Sequence, residues 1–151
     1  AMAASNLPPA TSPAASPSAW PRLPDAAEWQ GTYEALLMRA QMVGKTRLAL
    51  APMENHFWQV AFYVTPSGLT TSTMYDGPRS LAVDFDFLTH AVVIRTGEGE
   101  RRQLPLRAES VADFFAAYVA ALDELGVRPH LWPVPTEQPS TSAISASRRC
   151  S

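Results

Sequence analysis

Apolar residues recur along this chain with a period that changes twice. From Trp29 to Val43 they fall at Trp29, Tyr33, Leu36, Leu37, Ala40 and Val43, the three-and-four spacing that lines one face of an α-helix. Asp25 precedes this run with Glu28 three residues on, so the helix is expected to open on a capping box, and Gly44 is expected to close it. Beyond Arg47 the period drops to two, the mark of strands, and the expected strands are 47–50, 58–65, 69–75, 80–88, 91–96 and 101–106. Their linkers, "TPSG", "YDGP", "LTH" and "GEGE", are too short for crossovers and imply antiparallel neighbours. A second helix follows, with Ser110 and Asp113 in capping register, an apolar stripe of Val111, Phe114, Phe115, Tyr118, Val119, Leu122 and Leu125, and Gly126 at its end. The closing "VRPHLWPV" reads as a short edge strand, because Pro129 and Pro133 cannot donate to a ladder. The predicted fold is α+β: an antiparallel β-meander sheet flanked on one face by two helices, in the order helix, strands, helix, strand.

Strand parity then assigns sides. Trp58, Val60, Phe62 and Val64, with Leu81, Val83, Phe85, Phe87, Val92 and Ile94, are expected to meet the helices. Gln59, Ala61, Tyr63, Thr71, Thr73, Tyr75, Asp84, Asp86 and Arg95 fall on the opposite face, with Lys45 and Arg47 nearby, and a function is expected on that side.

Composition bounds the remainder. Prolines, alanines and serines crowd both ends, so residues 1–19 and 136–151 are expected to be disordered tails around a single α+β domain at 20–135. With 46% hydrophobic and 17% charged residues, that domain has material for a real core. A net charge of −2 without a basic stripe argues against nucleic acid as a partner. The first residues have neither the basic start nor the apolar run of a signal peptide, and no segment reads as a membrane span, so a cytoplasmic location is expected. The lone cysteine, Cys150, has no partner for a disulfide within the chain.

Candidate chemistry gathers where the first helix should end. Gly44, Lys45 and Thr46 imitate a phosphate loop, but the position five before Gly44 is Arg39 and the glycine is expected to end a helix instead of opening one, which argues against nucleotide binding. In an extended segment Lys45 and Arg47 would project to one side and hold an acidic group, with Arg39 and Gln41 in the preceding helical turn. The leading reading is a binding domain for a small acidic molecule: Lys45 and Arg47 as anion ligands, and Gln41, Asn55, His56, Tyr63 and Thr71 orienting the remainder. An alternative is a small enzyme with His56 as general acid/base, since a histidine beside aromatics has a tunable pKa. A third is an interaction or homodimerisation module. The three histidines form no close pair and no GxSxG elbow is present, so no metal and no cofactor is expected. Asp84 and Asp86, on one strand face, read as a solvated edge before they read as a cation site.

The stretches "WPRLPDAAEW", "QMVGKTRLALAPMENHFWQVAFYVTPSGLTTS", "VDFDFLTHAVVIRT", "LPLRAESVADFFAAYVAALDELG" and "LWPVP" resemble a bacterial family of unknown function. The resemblance spans nearly all of 20–135 and supplies no activity. It implies matches at Gln41, Lys45, Arg47, Asn55, His56, Trp58, Thr70, Thr71 and Ser72. It also implies departures: histidine in the family at the positions of Leu37 and Gln59, and tryptophan at that of Arg39. Family members extend well beyond the "WPVP" stretch, so a surface their second half covers is one that a second copy of this chain could cover here.

Overall fold

The computed structural model describes residues 23–132. Helix α1 runs Ala26–Leu50, a 3-10 segment spans Asn55–Val60, and six strands follow: β1 Tyr63–Thr65, β2 Gly68–Thr70, β3 Met74–Asp76, β4 Arg79–Asp86, β5 Ala91–Thr96 and β6 Arg101–Pro105. Helix α2, Val111–Glu124, comes last. All strand pairs are antiparallel, in the order β1-β2-β4-β5-β6 with β3 also on β4. The α+β meander is therefore present, with both helices on one face.

Helix α1 outruns its predicted end. Gly44 keeps right-handed backbone and the helix continues through 47–50, the segment expected to be a strand. Arg47, Leu48, Ala49 and Leu50 are strong helix formers, and the first real stop is Pro52, which drives Ala51 into extended backbone. At the other end Asp25 occupies the cap position, yet its carboxylate makes no cap bond; its backbone carbonyl accepts from Glu28 N and Trp29 N instead. A Cβ on Gly44 would meet only the Phe62 ring, at 3.8 Å. Gly44→Ala is therefore expected to stabilise the protein by about 0.5–1 kcal/mol through helix propensity. Thermal denaturation checks this, and a loss of stability would return Gly44 to a cap.

Helix α2 forms as its sequence dictates. Ser110 Oγ accepts from Asp113 N at 3.0 Å and donates to the Asp113 carboxylate at 2.7 Å. Gly126, left-handed at φ 69°, turns the chain so that Val127 N reaches Leu122 O at 2.9 Å.

The predicted strand 69–75 is β2 and β3 in one line with a bulge between them. Residues 71, 72 and 73 oppose only Ala82 and Val83 across β4, since Thr70 pairs with Asp84 and Met74 with Leu81. Ser72 takes up the extra residue in left-handed backbone, φ 55°. Thr71 repairs the ladder with its side chain: Oγ1 accepts from Val83 N at 2.9 Å and donates to Ser72 O at 2.8 Å.

Parity holds in the centre and fails at the edge. Leu81, Val83, Phe85, Val92 and Ile94 are buried against Met42, Val43, Phe114, Tyr118 and Leu122 of the helices. Phe87, beyond the end of β4, is exposed. Residues 58–65 are strand only from Tyr63; Gln59 is 2% exposed while Trp58 and Val64 are 70% and 85% exposed, the reverse of expectation. The cause is the 3-10 segment, where His56 and Phe57 take left-handed backbone and break the alternation before edge strand β1 begins. Only Phe62 of that row reaches the core, meeting Phe85 edge-to-face at 5.7 Å. The expected final strand is likewise absent from 127–132, although Val127 is buried and Leu131 packs on the core. Pro133 and Val134, both proposed tails and Cys150 lie outside the described residues. Among the described residues no helix is long and apolar enough to cross a membrane.

Candidate functional site

The buried stripe of α1 is Arg39, Met42, Val43, Thr46 and Arg47, so an arginine stands at each end of an apolar helix face. Eight residues separate the two, about 12 Å along the axis. Each organises a different part of the molecule.

Arg47 is 4% exposed. Its Nε donates to the Gln59 carbonyl, its Nη1 to Ser72 Oγ at 3.3 Å, and its guanidinium lies over the Tyr63 ring at 5.4 Å. Gln59 in turn accepts from Glu54 N through Oε1 at 3.1 Å. One cation thus ties α1 to the 3-10 segment and to the β2–β3 bulge, beside buried Thr71.

The other predicted site residues are dispersed. Because 45–47 is helix and not strand, Lys45 points about 200° around the axis from Arg47. It shares a side of α1 with Gln41, four residues earlier, and partial burial lowers its pKa. Asn55 and His56 are exposed on the 3-10 segment, not at the start of a buried strand, and His56 is held at φ 54°. So of the seven, Arg47, Tyr63 and Thr71 share one neighbourhood, Gln41 and Lys45 another, and Asn55 and His56 are exposed apart from both. The paired aspartates have structural partners: Asp84 an ion pair with Arg95, and Asp86 an Asx-type turn, its Oδ1 accepting from Leu88 N and Thr89 N at 3.0 and 3.2 Å. Those bonds, that from Thr89 foremost, hold the Asp86 carboxyl below its usual pKa. Among the described residues no group of three or more His, Cys, Asp and Glu side chains is placed to hold a metal ion.

Arg39, at the other end of the stripe, lines a cavity of about 320 Å³ between α1, the β4–β5 turn and the β6–α2 linker. Thr32, Ala35 and Leu36 form one wall, Phe87 and His90 a second, and Leu106, Arg107 and Ala108 the third. None of the seven predicted residues takes part. The guanidinium is 4% exposed and lies over the Phe114 ring at 5.4 Å. Nη1 donates to Ala35 O at 3.0 Å, and Nη2 to Arg107 O and Glu109 O at 3.0 and 3.2 Å, whereas Nε is buried with no acceptor. No carboxylate pairs with it among the described residues; Glu109 pairs instead with the exposed Arg107, at 3.5 Å. Backbone carbonyls and a ring thus surround this buried cation beside a largely apolar cavity, and no counter-charge meets it among the described residues. The sequence carried a signal for it: Arg39 sits three residues after Leu36 and four before Val43, a charge on the helix's apolar stripe.

No match to this chain was found among curated proteins or among solved structures. A match to a family of unknown function, DUF5996, extends over residues 20–149, which is most of the sequence; the chain belongs to that family.

Proposed function

We propose that this domain binds a small organic anion and that the cavity at Arg39 is where it binds. The observation that supports this reading is the orphaned Nε–H of a guanidinium almost wholly removed from water. An unmade hydrogen bond from a buried group costs about 1–3 kcal/mol, and more when the group is charged. The bonds from Nη1 and Nη2 explain why Arg39 fixes the β6–α2 linker. They do not explain a missing counter-charge, and an anion seated in the cavity that Arg39 lines would supply it. This keeps the acidic ligand expected from the sequence and moves its seat two helical turns, from Arg47 to Arg39.

Arg39→Met retains the apolar stem and removes the charge. Titration calorimetry with a panel of small carboxylates is expected to show binding by the parent chain and affinity at least about tenfold weaker, roughly 1.4 kcal/mol, in the variant. Equal binding by both proteins would remove Arg39 from the site.

A further inference from the structure

We infer that the chain associates with a second copy of itself, as a twofold dimer, through the β1 edge and the 3-10 segment beside it. This stands apart from the anion reading, and either can fail without the other.

The segment 48–64 leaves large apolar side chains in water. Leu48, Met53, Phe57, Trp58, Tyr63 and Val64 are each at least half exposed. The fold draws them together: Leu48 lies one helical turn beyond Gly44, which the Phe62 ring overlies, and Val64 continues the Phe62 row past the cover that α1 gives. Arg47, just before Leu48, lies over Tyr63 and bonds the Gln59 carbonyl of the 3-10 segment. At that exposure the six side chains leave on the order of 700 Å² open, above the roughly 300–600 Å² of the largest patch on an ordinary monomer and close to the about 800 Å² that each partner brings to a standard interface.

Backbone strain holds part of this patch in place. His56 and Phe57 stand in left-handed backbone, at φ 54° and 59°, which side chains other than glycine adopt only at a cost, and both Phe57 and Trp58 are left facing water. Burial against a partner would offset that cost.

The sheet edge supplies an independent observation. Strands β1 and β6 end the sheet on opposite sides. Strand β6 carries Arg101, Arg102 and Pro105, residue types that keep an edge from pairing with another chain, whereas Tyr63, Val64 and Thr65 of β1 carry no charge. Such an edge pairs antiparallel with its own copy across a twofold axis, here centred on Val64, and the two sheets become one.

Charge favours a second copy over a lipid surface. Segment 48–64 has no lysine or arginine to meet anionic headgroups, and Glu54 is its only acid, so a twofold axis sets no row of like charges against itself. A net charge of −2 adds little repulsion between whole chains.

The test is sedimentation equilibrium of the full chain at micromolar concentration, repeated with Trp58→Glu, Val64→Lys and, on the opposite edge, Gln103→Lys. All three positions are exposed, and circular dichroism checks that each variant folds. The parent and Gln103→Lys are expected at twice the chain mass of 16.4 kDa, and Trp58→Glu and Val64→Lys are expected to dimerise at least about tenfold more weakly. Hydrogen exchange at the β1 amides is expected to slow as the parent is concentrated; a dimer that leaves those amides unprotected would overturn the edge pairing. A parent that stays monomeric throughout, or a dimer that withstands both Trp58→Glu and Val64→Lys, would overturn the proposal, as would a monomer that binds phosphatidylcholine or phosphatidylserine vesicles through Trp58.

Discussion

Arg47→Met is expected to destabilise the protein by about 3 kcal/mol, far beyond an ordinary helix substitution. Methionine replaces the aliphatic stem, so the loss lies in the polar end. The Gln59 carbonyl, in a residue only 2% exposed, loses its charged donor, Ser72 Oγ loses a second bond, and the cation over Tyr63 disappears. An unsatisfied buried acceptor accounts for about 1–3 kcal/mol and a partly desolvated cation–π contact for about 1. The damage should be local before it is global, since Arg47 bonds both the 3-10 segment and the β2–β3 bulge to α1. Urea denaturation gives the total. Hydrogen exchange at the Glu54 amide, which donates to Gln59 Oε1, gives the location. A cost under about 1 kcal/mol with unchanged protection there would mean that Arg47 is not the tie.

The same residue shows where the sequence could be read and where it could not. Strand β4 and helix α2 obey local rules: alternation of Leu81, Val83 and Phe85, a serine cap with an aspartate three residues on, a glycine at the end. Their periodicity is strong because one whole face is buried. Around Arg47 the local signals conflicted. A glycine that permits a cap also tolerates a helix interior when packing favours it, and here Phe62 packs over Gly44 while good helix formers follow. Extending the helix by six residues rotated Lys45 away from Arg47 and removed the shared side on which the predicted site depended. The 3-10 segment was invisible for another reason. "HFWQVAFYV" alternates well enough for a strand, but it lies at the edge of the sheet, where no second neighbour enforces extended backbone. The arginines carried the clue that parity obscured: both stand on the apolar stripe of α1, and a charge placed there must find partners in the interior or in a ligand. Arg47 finds protein. Arg39 finds it only in part.

Removing the hydroxyl from Thr46 tests how the helix pair is fixed between those two arginines. Thr46 and Tyr118 are both fully buried, and their hydroxyls meet at 2.8 Å across the α1–α2 contact. Thr46→Val preserves shape and leaves the phenol with no partner, at an expected cost of about 2 kcal/mol. Tyr118→Phe should cost less, because the threonine hydroxyl can turn back to the helix carbonyl four residues earlier. In the double variant no polar atom of the pair is left unsatisfied, so its stability should lie within about 1 kcal/mol of the parent, a non-additivity that a double-mutant cycle measures directly. The phenol adds a pH signature. Burial pushes the Tyr118 pKa far above its usual value, and the Thr46 bond offsets only part of that. Because the folded pKa lies above the unfolded one, the contribution of Tyr118 is complete below about pH 10 and falls as pH rises beyond it, by up to about 1.4 kcal/mol per pH unit. Tyr33, Tyr63 and Tyr75 are exposed, so Tyr118→Phe should remove most of the tyrosine share of the alkaline loss. Denaturation at neutral pH and near pH 11 reads both effects; an alkaline loss unchanged in Tyr118→Phe would show that the phenol ionises as readily in the folded protein as in water.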